Sequence, residues 1–142
     1  MVTYYRMSQI GQRMIDKYGQ ESSIESDEKS LDYPMAVLTN GSTASAAELF
    51  TSALMDYGKA IVVGEKTFGK GTMQSVIGLP DGSAVYMTTR YYLPPVSESY
   101  NEIGIKPDIE VSIPSEYENI SIYKLEYEQD TQLKTAVEEL SK

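Results

Sequence analysis

Two short segments hold residue types that can do chemistry. The first, Gly41-Ser42-Thr43-Ala44-Ser45-Ala46-Ala47-Glu48, concentrates small residues where a strand gives way to a helix. A serine at such a turn can attack a carbonyl carbon while the unpaired N–H groups of the helix start hold the oxyanion that develops. The backbone N–H of Ala46 is the donor this placement offers. The same residues also spell S-x-x-E from Ser45 to Glu48, a capping box whose task is to start a helix, and the spacing does not choose between the two. The second segment, Gly64-Glu65-Lys66-Thr67-Phe68-Gly69-Lys70-Gly71, sets Lys70 between two glycines. It approaches the phosphate-cradling pattern G-x-x-x-x-G-K-[ST], but Gly71 stands where the magnesium-holding hydroxyl belongs. Thr72 to Val76 also reads as strand where that motif needs a helix. Nucleotide binding is therefore set aside. A turn lysine is ordinarily a solvated charge; as a general base it needs burial or neighbours to bring its pKa down from about 10.4. Phe68 and Met73 are placed to desolvate it, and Gln74 to orient the amine without adding charge.

The elements that must position these residues follow from periodicity. Met35 to Leu38 is a short apolar run between Pro34 and Asn40-Gly41, which predicts a buried strand. Ala46, Leu49, Phe50, Ala53, Leu54 and Tyr57 recur at helical spacing and predict a helix packed on a sheet, with Gly58 ending it. Ala60 to Val63, closed by Gly64, is a second β-branched run. Residues 35–64 thus read as a βαβ unit with parallel strands, and both chemical segments fall at its one ligand-binding edge. Ser45 and Lys70 can meet there. Thr72 to Leu79 and Ser83 to Leu93 read as a β-hairpin turned by Pro80-Asp81-Gly82. Ile109 to Ile113 reads as one more strand. Leu133, Ala136, Val137 and Leu140 make a C-terminal amphipathic helix capped by Asp130 or Thr131. At the other end, Met7, Ile10, Met14, Ile15 and Tyr18 suggest a short helix ended by Gly19, followed by a polar surface loop from Gln20 to Asp32. Arg90 reads as a surface strand residue outside the site.

Composition narrows the chemistry further. None of the 142 residues is histidine or cysteine. A Ser-His-Asp triad, a thiol nucleophile, disulfides and His- or Cys-ligated metals are therefore all excluded, and the reading carries no metal and no cofactor. Serine with lysine is the histidine-free form of an activated nucleophile. With 41% hydrophobic and 23% charged residues the chain is that of one folded domain, which the βαβ unit makes α/β. Twelve basic against twenty-one acidic residues leave a charge of −9, so a nucleic-acid partner is not expected. No apolar run approaches the roughly 20 residues that cross a bilayer, and the N-terminus has none of the parts of a signal peptide. As given, the chain is expected to be soluble.

The two segments, with Gly104-Ile105-Lys106-Pro107-Asp108 and Asp130-Thr131-Gln132-Leu133, resemble in order the carboxyl-terminal processing peptidases, or tail-specific proteases. The resemblance covers roughly residues 34–142. It implies a ClpP/crotonase-like core and a serine endopeptidase with Ser45 as nucleophile, Lys70 as general base and Gln74 as the residue that orients the lysine. Asp56 falls where members carry a functionally sensitive acid; on its own terms it is a solvated or salt-bridged helix residue. Protein or peptide substrates are implied, as is a place outside the cytoplasm, in periplasm or cell envelope; homo-oligomerisation is left open. The family's PDZ domain and the glycine-rich strand end that completes its oxyanion hole are not recognisable in residues 1–33. On this reading residues 1–33 are an N-terminal helix and loop of unassigned role, and residues 34–142 are part of a catalytic domain. The alternative is a catalytically incomplete peptide-binding or assembly module on the same fold.

Overall fold

The computed structural model describes residues 10–26 and 33–142. In chain order its elements are β1 (Ile10–Asp16), β2 (Glu21–Glu25), β3 (Ala36–Thr39), α1 (Ala46–Asp56), β4 (Ile61–Gly64), β5 (Thr72–Gly78), β6 (Ala84–Leu93), β7 (Ile109–Glu110), a 3₁₀ turn (Ile122–Lys124) and α2 (Thr131–Leu140). Two sheets organise them. One is parallel, in the order β3-β4-β7; the other is antiparallel, in the order β2-β1-β6-β5.

The expected βαβ unit is present, with Ala36 facing Ile61 and Thr39 facing Gly64 in parallel register. The middle strand β4 is flanked on both sides, so Val62 and Val63 are wholly buried, as a continuous β-branched run in a parallel sheet should be. The hairpin β5–β6 and the C-terminal helix are present too. Asp130 rather than Thr131 caps α2, its carboxylate accepting the Leu133 N–H at 2.9 Å. The Thr131 hydroxyl instead donates to the Ser112 carbonyl and the Gln132 carboxamide to that of Val111. The Asp-Thr-Gln-Leu motif therefore fastens α2 to the chain leaving β7.

Four expectations are corrected. The N-terminal helix is a strand: β1 lies between β2 and β6 and buries Met14, while Met7 lies outside the described residues. Gly19 has a φ of 80°, the conformation a helix C-cap and a hairpin turn both demand. Here it closes the β1–β2 hairpin, where Asp16 Oδ1 accepts the N–H groups of Tyr18 and Gln20. The first part of the expected loop is β2, which pairs in that hairpin; residues 27–32 lie outside the described residues. Strand pairing thus runs across position 33.

The second correction concerns which face of α1 is buried. Its buried residues are Glu48, Thr51 and Ser52. The apolar stripe of Ala46, Leu49, Phe50, Ala53, Leu54 and Tyr57 instead walls an open groove of ≈ 520 Å³ shared with Ile24 and Met35, and Phe50 is 62% exposed. The third is similar: α2 buries Gln132 and Ala136, while Leu133, Val137 and Leu140 form an exposed ridge. The strand expected over Ile109–Ile113 is confined to Ile109–Glu110.

Candidate active site

The chain enters α1 through Ser45, whose φ of 58° and ψ of −117° are those of a non-glycine residue held on a sharp strand-to-helix turn. Such a conformation costs about 1–3 kcal/mol and persists only where the surroundings impose it. The imposing group is Glu48. Its carboxylate is fully buried, and its Oε2 accepts the Ser45 N–H at 2.9 Å, the acidic half of the capping box. The other contacts of that carboxylate reach across to the lysine segment. Oε2 also accepts the Lys70 N–H at 2.8 Å, and Oε1 accepts the Gly69 N–H at 2.6 Å and the Thr67 hydroxyl at 2.5 Å. One oxygen atom therefore holds the backbones of both Ser45 and Lys70, and the two amide nitrogens stand no further apart than the sum of those bonds. The Phe68 N–H reaches the Thr43 carbonyl at 2.9 Å and doubles the tie.

The lysine segment is pinned from its other side by residues 100–105. The Thr67 N–H donates to the Ile105 carbonyl, and the Ile105 N–H donates to the Thr67 hydroxyl. The Glu102 N–H donates to the Gly69 carbonyl, and the Asn101 carboxamide oxygen accepts the Gly71 N–H. The glycines make this approach feasible: a Cβ on Gly104 (φ +83°) would lie 2.3 Å from the Thr67 carbonyl oxygen, and one on Gly69 (φ +92°) would lie 2.8 Å from the Gly104 nitrogen. The Gly-Ile-Lys-Pro-Asp motif is thus a buttress. Its last residue, Asp108, accepts the N–H of Val62 and anchors the loop to β4.

The expected site residues divide. The backbones of Ser45 and Lys70 meet at Glu48, and Ala46 opens the first turn of α1. Lys70 is half-buried, and Phe68 is itself 65% exposed. Gln74 lies on β5 with its carboxamide nitrogen bonded to the hydroxyls of Thr72 at 2.9 Å and Thr88 at 3.4 Å. Asp56 is more than a plain solvated residue, and it makes no salt bridge among the described residues. Its Oδ2 accepts the N–H groups of Val96 and Ser97 at 2.8 and 3.0 Å, fastening the loop after β6 to the end of α1. That loop borders a cavity of ≈ 270 Å³ with Tyr100 on its wall. The Tyr100 hydroxyl is buried without a hydrogen-bond partner among the described residues. Burial above all, then the charge of Glu48 and the presence of Tyr92, pushes its pKa up.

Sequence reasoning placed Glu48 only as half of a helix cap and did not single out Thr67, Tyr100 or Asn101. No pattern in the sequence ties position 48 to the donors at 67–70. The one available signal was an acid sitting three residues after a candidate nucleophile.

A profile for Peptidase family S41 matches residues 2–111. Over 77 residues, 54% of this chain, the sequence is 49% identical to a carboxyl-terminal-processing protease of Picosynechococcus sp., of which it covers 19%. Over 110 residues, 74% of the chain, it is 37% identical to a chloroplastic C-terminal processing peptidase of Tetradesmus obliquus, of which it covers 24%. The solved photosystem II D1 C-terminal processing protease superposes on 74% of the chain with a TM-score of 0.69 at 36% identity, this chain covering 28% of it. A solved protein from Bacteroides fragilis, 20% identical, superposes on 96% of the chain with a TM-score of 0.70, covering 37% of that protein and showing the fold alone. The fold is the ClpP/crotonase-like α/β core. The chain spans about a fifth to a quarter of the length of the curated relatives it matches.

Proposed function

We propose that this chain, which belongs to peptidase family S41, carries the serine and lysine of an endopeptidase site that hydrolyses peptide bonds of protein substrates near their carboxyl ends. The observation that supports it most is the single Glu48 oxygen that receives the N–H of both Ser45 and Lys70. A carboxylate used this way sets the backbones of nucleophile and base in one frame before substrate arrives, from which the Lys70 amine has to reach the Ser45 hydroxyl for proton transfer.

In this reading Lys70, as general base, takes the Ser45 Oγ proton as Oγ bonds to the scissile carbonyl carbon. The oxyanion forms against the N–H of Ala46, at the positive end of α1. The lysine then returns its proton to the departing amine, leaving an acyl group on Ser45. Water, deprotonated by Lys70, releases it and regenerates the hydroxyl. Gln74 supplies a neutral carboxamide beside β5 that can hold the amine in line, and Asp56 acts at a distance by fixing the loop after β6. The chemistry needs no metal. The resemblance supports a place outside the cytoplasm, in periplasm or cell envelope. Among the described residues no helix is long and apolar enough to cross a membrane.

Hydrolysis of a loosely folded protein by the wild type, Ser45→Ala and Lys70→Ala tests the reading. Loss of activity in both variants is expected; equal rates in all three overturn it. A non-catalytic peptide-binding module is the second reading, favoured by the Gln74 carboxamide nitrogen engaging Thr72 and Thr88. Peptide binding without turnover, indifferent to Ser45→Ala, is its signature.

A further inference from the structure

The antiparallel sheet has two edges that are treated differently. The β2 edge carries Glu21 and Glu25, with Glu21 paired to Arg13 at 2.9 Å, the charged edging that keeps a strand from recruiting another chain. The β5 edge has none. From Gly71 to Pro80 there is no charged residue, the strand runs seven residues, and Val76 is 67% exposed.

The backbone of this edge is aimed outward at definite positions. The Leu79 N–H donates to the Ser83 carbonyl at 2.8 Å, so those residues form a hydrogen-bonded pair at the turn. Alternation along the ladder makes Ile77 with Val85, and Ser75 with Met87, the next bonded pairs. The N–H and C=O groups of Gln74, Val76 and Gly78 therefore face away from β6, and no other described strand pairs with them. The edge begins two residues after Lys70.

We propose that this edge receives an extended, uncharged segment of the polypeptide substrate as an added strand, leading it to Ser45 and Lys70; the occupant's identity rests on the peptidase reading above. Backbone pairing gives affinity with little demand on side chains, which suits cleavage of varied proteins. A second copy of the chain would bring a like charge of −9 against this one, which opposes edge-to-edge dimers.

The test is binding of a fluorescein-labelled, uncharged peptide of Val, Ala and Ser to Ser45→Ala protein, where turnover cannot consume the probe. Val76→Pro removes one outward N–H without touching a ladder bond and weakens binding about tenfold, whereas Val76→Ala, which keeps the N–H, binds as its parent does. A peptide N-methylated at alternate residues fails to bind the unaltered edge, a readout that does not depend on the proline variant folding. Equal affinity for methylated and unmethylated peptides overturns the proposal. So does a Val76→Pro effect confined to self-association in sedimentation. Edge-dependent binding with hydrolysis indifferent to Ser45→Ala and Lys70→Ala defeats the peptidase reading alone; hydrolysis without edge dependence defeats only this one.

Discussion

A buried carboxylate with four donors is the residue on which the site turns. Glu48 serves the Ser45 turn and the Lys70 segment together, and its two oxygens are both acceptors for backbone or hydroxyl hydrogens. Glu48→Gln keeps the shape but must point an N–H group at donors on one side. Leaving a buried donor unsatisfied costs about 1–3 kcal/mol, so chemical denaturation should show a loss of that order, with hydrolysis falling further than stability explains. Thr67→Val leaves the Ile105 N–H unsatisfied and should cost about 1–3 kcal/mol. Tyr100 has the opposite character. Its hydroxyl lacks a partner among the described residues, so Tyr100→Phe should be neutral or slightly stabilising at pH 7. The raised pKa gives a sign: the folded protein prefers the protonated phenol. Stability is full below the unfolded value of about 10 and declines above it, as the unfolded chain's phenol ionises and the folded one's does not. Denaturation midpoints from pH 9 to 11 should therefore fall more steeply for the wild type than for Tyr100→Phe.

At the level of elements, the loop over residues 100–105 is what holds the lysine in place. Gly104→Ala forces a Cβ against the Thr67 carbonyl and asks alanine for a φ of +83°. It should lower activity more than a change in α2 of equal stability cost, since it shifts the very segment that carries Lys70. The N-terminal strand offers a second check. A methionine on a surface helix would be nearly indifferent to truncation, but Met14 lies buried in a strand paired on both sides. Met14→Ala should cost about 2–5 kcal/mol in urea denaturation, and a loss under 0.5 kcal/mol would contradict the strand placement. The sequence reads as a helix here because its apolar spacing fits one, and only pairing with β6, nearly eighty residues on, makes it a strand.

For the molecule as a whole, apolar surface and charge are unevenly distributed. The α1 groove, the Leu133–Val137–Leu140 ridge and the β5–β6 hairpin leave large side chains open, on a chain whose net charge of −9 opposes self-association. Solubility should therefore pass through a minimum near the isoelectric point of about 4.5, seen as turbidity that clears on return to neutral pH. The periodicity of α1 announced a helix correctly but misassigned its face, because a polar triad of Glu48, Thr51 and Ser52 can be buried when its hydrogen bonds are met.

Residue types and local order in the chain already determined that any hydrolysis here must work without histidine, cysteine or a metal bound by them. They also determined that a strand, helix and strand set Ser45 and Lys70 at one edge, and that a hairpin follows. These are properties of composition and short-range periodicity, which act within a few residues. Only the tertiary structure decided that Glu48 joins the two segments, that residues 100–105 lock the lysine loop, that Asp56 holds the loop after β6, and that Ile10–Asp16 is a strand. Each depends on hydrogen bonds between residues some twenty to eighty positions apart, and such partners are selected by folded geometry, which no local pattern encodes.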